Sequence, residues 1–178
     1  MIILIAILSL IILAYWFEAS LLDGIKYVKK GKHRFFPYTF GLTWAKVHKY
    51  ELQFHYGCKY DIGEDQGDIN KLFGVGYWFH HRNSARIGWR YMDGRIEIMY
   101  YCYVNGQRRS GVLTTTTLNR PVVVTYTYTS TAYIFECNQR MIAINHSGHG
   151  CFGYLLGAYF GGNRPAPHEM KVLVKKAS

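Results

Sequence analysis

The chain has 178 residues and a formal net charge of +10, enough for one domain of ordinary size with its own core. Aromatic residues make up 17% of it and include sixteen tyrosines; together with threonine and valine they suit half-buried pleated strands. This composition excludes collagen-like, low-complexity and acidic disordered chains.

Residues 1–17, MIILIAILSLIILAYWF, carry no charged side chain. As a helix rising ~1.5 Å per residue they would reach ~25 Å, just short of a ~30 Å hydrocarbon core. A cleaved signal peptide would open on Lys or Arg and end on a small-x-small site. Neither is present, so the segment reads as an uncleaved transmembrane anchor over residues 1–20. Basic residues follow at once. Lys26, Lys29, Lys30, Lys32, Arg34, Lys46 and Lys49 lie between Asp23 and Glu51 with no acid among them. The positive-inside rule then puts the domain on the cytoplasmic side of a single-pass protein. Lys26, Lys29, Lys30, Lys32 and Arg34 would lie along an anionic leaflet. If the protein is exported, the side is reversed.

Residues 21–28 read as at most a short amphipathic helix, and residues 21–49 as a basic juxtamembrane linker. Residues 40–47 read as a second short helix or a first strand. Residues 50–178 form the folded domain. Its strands begin at residues 50–56, which alternate apolar and polar, with a pairing strand over 58–62. Asp61, Glu64, Asp65 and Asp68 then fall within eight residues. Oxygen ligands on a flexible loop are what Ca²⁺ takes, but the spacing is not that of an EF-hand, and a solvated loop is the favoured reading. Asp68 is placed to cap a turn over 69–72. The aromatic stretch 73–81 ends in His80 and His81, which on a strand would face opposite ways.

The hairpin signals come next. Residues 84–91 lead to Asp93-Gly94, residues 95–104 to Asn105-Gly106, and residues 107–117 follow. Asp-Gly and Asn-Gly suit type I′ turns, which need positive φ at both central positions. In the middle strand Ile96, Ile98, Tyr100, Cys102 and Val104 share the core face. Glu97, Met99, Tyr101 and Tyr103 share the other, a second buried face or a binding face. Further strands are expected at 122–128, 132–137, 140–146, 153–160 and 169–175. Many short strands at this spacing make an all-β sandwich.

No P-loop, nucleophile elbow, dinucleotide fingerprint, HExxH or zinc ribbon occurs, and no cofactor is implied. Four cysteines include no C-x-x-C pair, so reduced, buried thiols are expected ahead of one disulfide. Trp78, Trp89, Tyr101, Tyr103 and Asn163 offer the aromatic faces and polar groups that sugar binding uses. The arginines are scattered rather than striped, which argues against nucleic acid.

Ala158-Tyr159-Phe160-Gly161-Gly162-Asn163 is similar to the late Tyr-Phe-Lys-Ala-Gly strand of alginate-type polysaccharide lyases, with Gly161 in place of lysine. Arg86-Ile87-Gly88-Trp89-Arg90 has the two arginines of their Arg-x-Glu-x-Arg strand, with Gly88 in place of glutamate, and no Gln-x-His occurs. The chain thus resembles the concanavalin-like jelly rolls, which include lectins and these lyases. The closing Gly-Gly-Asn-x-Pro-Ala-Pro-His also resembles the ending of bacterial and phage membrane-anchored β-sandwich proteins. The resemblance implies an antiparallel jelly-roll sandwich. If catalytic, it implies Tyr159 and His168 as acid and base, on a substrate held by Arg86, Arg90 and Arg164. The leading expectation is a membrane-tethered structural or protein-interaction module of a bacterial or phage envelope. A carbohydrate-binding, lectin-like module is the alternative, and a polysaccharide lyase the third.

Overall fold

A computed structural model describes residues 22–150 and 152–177. The apolar run 1–17 and its anchor reading lie outside these residues. Among the described residues, no helix is long and apolar enough to cross a membrane.

Among the described residues, twelve strands form two antiparallel sheets. They are β1 (Gly24–Val28), β2 (Leu42–Thr43), β3 (Val47–Phe54), β4 (Asn70–Gly76), β5 (Ser84–Met92), β6 (Arg95–Val104), β7 (Gln107–Thr116), β8 (Val122–Tyr128), β9 (Ala132–Cys137), β10 (Arg140–Asn145), β11 (Gly153–Leu156) and β12 (Met170–Lys176). One sheet runs β1-β12-β3-β8-β9-β10, the other β2-β11-β4-β5-β6-β7. This is the expected all-β, jelly-roll-like sandwich.

Turn chemistry sets the hairpins. Asp93 and Gly94 lie at φ 49° and 78°, Asn105 and Gly106 at 51° and 82°, as type I′ turns require. Asn138 and Gln139, at φ 48° and 65°, make the same reversal without glycine. Alternation then fills the core. Phe54 of β3 meets Trp89 of β5 at 5.1 Å between ring centroids, and Tyr50 meets Phe73 at 4.7 Å. Tyr100 of β6 meets Phe135 of β9 at 5.7 Å. The hydroxyls of Tyr77 and Tyr126 share a buried hydrogen bond of 2.7 Å across the two sheets, so these polar tips enter the core satisfied. Cys58, Cys102 and Cys137 are buried free thiols.

The structure departs from the sequence reading in four places. Residues 24–28 are not helical: β1 pairs with β12, Gly24 opposite Val174. The segment read as a linker therefore supplies an edge strand, and Lys26 is buried rather than turned to a leaflet. Burial lowers its pKa, with Asp23 opposing. Residues 58–62 do not pair as a strand; a 3-10 turn, Tyr56–Cys58, takes the chain away. Asp68 does not cap a turn over 69–72, because β4 begins at Asn70. Finally, β11 stops at Leu156, short of the expected residue 160.

Candidate functional site

The site lies on the outer face of the second sheet. In β5 the parity is strict: Ala85, Ile87 and Trp89 point to the core, while Arg86 and Arg90 point outward. In β6 Ile96, Ile98 and Cys102 are fully buried in the core, and the Glu97, Met99, Tyr101 and Tyr103 set forms the opposite face. Gly74 of β4 is paired with Arg86 of β5. A Cβ there would run into the Ala85 carbonyl oxygen and lie 2.6 Å from Arg86 Cα, so only glycine lets these strands approach.

The second wall comes from the segment after β11. Tyr159 and Lys71 exchange two backbone hydrogen bonds, each 2.8 Å, at the point where the β4–β5 register slips between Lys71 and Phe73. Gly161 follows at φ +62°, and buried Asn70 holds it: its side-chain oxygen accepts from Gly161 N at 2.5 Å, while its amide donates to Tyr60 Oη at 2.8 Å. The Gly161-Gly162 pair is thus a locked turn. Although position 161 carries no side chain, a lysine reaches it, for Lys71 Nζ donates to the Gly161 carbonyl at 3.1 Å.

Together these elements enclose a cleft of about 320 Å³ lined by Lys71, His80, His81, Ser84, Arg86, Tyr101, Tyr103 and Tyr159. Arg86 Nη2 donates to the Gly157 carbonyl at 2.5 Å, yet its Nε is buried with no hydrogen-bond partner. No salt bridge among the described residues involves it. Burial pulls its pKa down to about 10, against the opposing pull of Tyr101 and Tyr154. Lys71 lies 5.1 Å from the Tyr101 ring centroid. Its pKa falls to about 8, first through burial, then through Arg86, with Asp68 opposing and Arg108 adding. Burial and the hydrogen bond to Tyr103 push Tyr101 up to about 12. Burial lowers His80, with His81 and Arg86 adding to the effect, and Tyr154 Oη contacts its Nδ1 at 3.1 Å. At neutral pH the cleft therefore offers two cations, Arg86 and Lys71, beside tyrosine rings, and no carboxylate stands among its described lining residues. Such a donor-rich surface suits an anionic, hydroxyl-rich ligand.

The residues picked out from sequence divide. Arg86, Tyr101, Tyr103 and Tyr159 converge on the cleft. Trp89 does not: it is in the core, in phase with Ile87. Trp78 is exposed on the β4–β5 loop at φ 60° and is not part of the lining. Arg90 is tied to Glu97 at 2.6 Å, and Arg164 to Asp65 at 2.8 Å. Asn163 is exposed, and its backbone donates to Asp68 at 3.4 Å. His168 contacts the Gly57 carbonyl at 2.8 Å and is not among the cleft residues, so Tyr159 and His168 are not assembled as an acid–base pair. The acidic loop does not converge either. Asp61 accepts from Gly63 N, Asp65 pairs with Arg164, and Asp68 accepts from Gly162 N; no group of three metal-ligating side chains occurs among the described residues.

Sequence reasoning missed Lys71, which looked like a turn residue, and His33, whose ring stacks on Tyr159 at 5.1 Å and 12°. It also set His80 and His81 on opposite faces. They sit instead beyond β4 on the connecting loop, their ring centroids 4.2 Å apart, and both line the cleft.

No protein-family model matches the chain, and no curated protein matches it. Solved structures do match. Alginate lyase AlyC3 in complex with dimannuronate superposes with a TM-score of 0.58 at 8% identity, covering 85% of this chain and 71% of that one. A polysaccharide lyase of family 18 gives 0.53 at 9% identity, covering 88% and 80%. An alginate lyase from Alteromonas sp. 272 gives 0.50 at 7%, covering 86% and 77%. At these identities the likeness is one of fold.

Proposed function

We propose that the cleft binds an acidic polysaccharide of the uronate class, as a lectin-like module. The observation that carries this reading is the pairing of Arg86 and Lys71 in a tyrosine-walled cleft without a lining carboxylate. Arg86, which forms no salt bridge among the described residues, is the cation placed to meet a uronate carboxylate, and a charge-assisted bond of this kind is stronger than a neutral one. Tyr101, Tyr103 and Tyr159 supply ring faces and hydroxyls for the sugar. A neighbour of the same fold holds dimannuronate, which makes polymannuronate the first ligand to try.

A lyase reading has one observation in its favour: Tyr159 and two histidines stand in the same cleft as Arg86. Eliminating across a uronate needs carboxylate neutralisation together with a base and an acid. One experiment separates the readings. Polymannuronate is titrated into the protein by calorimetry, and the near-ultraviolet absorbance of an unsaturated uronate is followed in parallel. Binding without new absorbance is the expected result. Binding with absorbance gives the lyase, and no heat of binding refutes the proposal.

A further inference from the structure

A second cleft, of about 630 Å³, abuts the first. It is lined by Tyr27, Lys29, Lys32, His33, Arg34, Phe36, Tyr38 and Tyr159. Tyr159 borders both clefts. The second is built by the arm that follows β1, and the arm is fixed by backbone pairing at both ends. Tyr27 and Phe36 exchange hydrogen bonds of 2.9 and 2.7 Å, while Phe160 N donates to the His33 carbonyl at 2.7 Å and Ala166 N to that of Lys32 at 3.0 Å. Lys29, Lys32 and Arg34 are exposed, and no carboxylate stands among the described lining residues. Phe36 and Tyr38 are half or more exposed, in an edge-to-face pair at 5.9 Å. The chemistry of the first cleft, cations beside aromatic faces, is thus repeated on the other side of Tyr159.

We propose that the arm cleft is a second subsite for the same acidic polymer, joined to the first over Tyr159, so that the protein selects long chains over short ones. This rests on the polysaccharide reading of the first cleft. A ligand that fills both clefts binds the second intramolecularly, at a high effective concentration. A ligand of one or two sugars cannot do so.

The test compares mannuronate oligomers of two and of eight sugars by calorimetry on the full chain and on the triple variant K29A/K32A/R34A. These positions are exposed, so thermal unfolding of the variant should match that of the parent. The parent should bind the longer oligomer tighter by on the order of a hundredfold. The variant should keep the affinity for the dimer and lose most of that gain. A gain that survives in the variant overturns the second subsite and leaves the first intact. If the parent binds neither oligomer, the polysaccharide reading falls and takes this one with it.

Discussion

Replacing Arg86 by methionine should make the protein more stable and less able to bind. Arg86 is half-buried, its Nε is buried without a hydrogen-bond partner, and it sees no carboxylate in the salt bridges described above. Its pKa falls from 12.5 to about 10, chiefly through burial. For a base, a lowered folded-state value means that the charge opposes folding, and does so in full at every pH below the folded value. At 1.36 kcal/mol per pH unit, the charge costs about 3 kcal/mol at pH 7. Methionine keeps the unbranched stem and removes the charge, but leaves the Gly157 carbonyl without its donor, a loss of about 1 kcal/mol. The net gain is about 2 kcal/mol, or roughly 5 °C in Tm for a chain of this size. Thermal unfolding by circular dichroism at pH 7, with polymannuronate titrations alongside, reads both effects. A Tm at or below the parent value would refute the claim that Arg86 is held uncompensated, and unchanged binding would remove it from the site.

Two further outcomes follow from titration. Lys71 loses its proton near pH 8 in the free protein, so affinity for an anionic oligomer should be level below about pH 7 and fall as the pH rises through 8; a flat profile to pH 9 would exclude Lys71 from binding. His48 is buried, contacts the Ala45 carbonyl at 3.1 Å and stacks on Tyr126 at 5.8 Å. Burial, with the Ala45 contact opposing and Lys176 adding, lowers its pKa to about 4. The unfolded chain then takes up this proton first, so stability should fall by up to about 3 kcal/mol as the pH drops from about 6.5 to 4. His48→Gln should flatten that slope in urea unfolding followed across pH, and an unchanged slope would show that other groups cause it.

The middle of the fold was legible because its signals are local. Asp-Gly and Asn-Gly fix their own turns, and the alternation in residues 95–104 fixes which side faces the core. The same parity rule, applied to β5, would have placed Trp89 with Ile87 in the core and left Arg86 outside. What was not legible depends on distant partners. Residues 24–28 are a strand because β12 lies beside them; alone, their apolar spacing also fits a helix turn. Lys71 joins the first cleft because Tyr159 pairs with its backbone, and His33 stacks on Tyr159 and lines the second because the arm folds back on Phe160. No periodicity in either segment records those meetings. The acidic loop's Asp61, Asp68 and Asp65 likewise take partners, Gly63, Gly162 and Arg164, that the sequence does not announce.

The position of β12 also bears on the order in which the protein can assemble during synthesis. It lies between β1 and β3, yet in sequence it comes after the other eleven described strands. A ribosome therefore delivers β1 and β3 long before the strand that joins them, and until then both keep open edges that can pair with other chains. Insertion of β12 closes this gap and ties β1, and with it the arm that builds the second cleft, to the rest of the sheet.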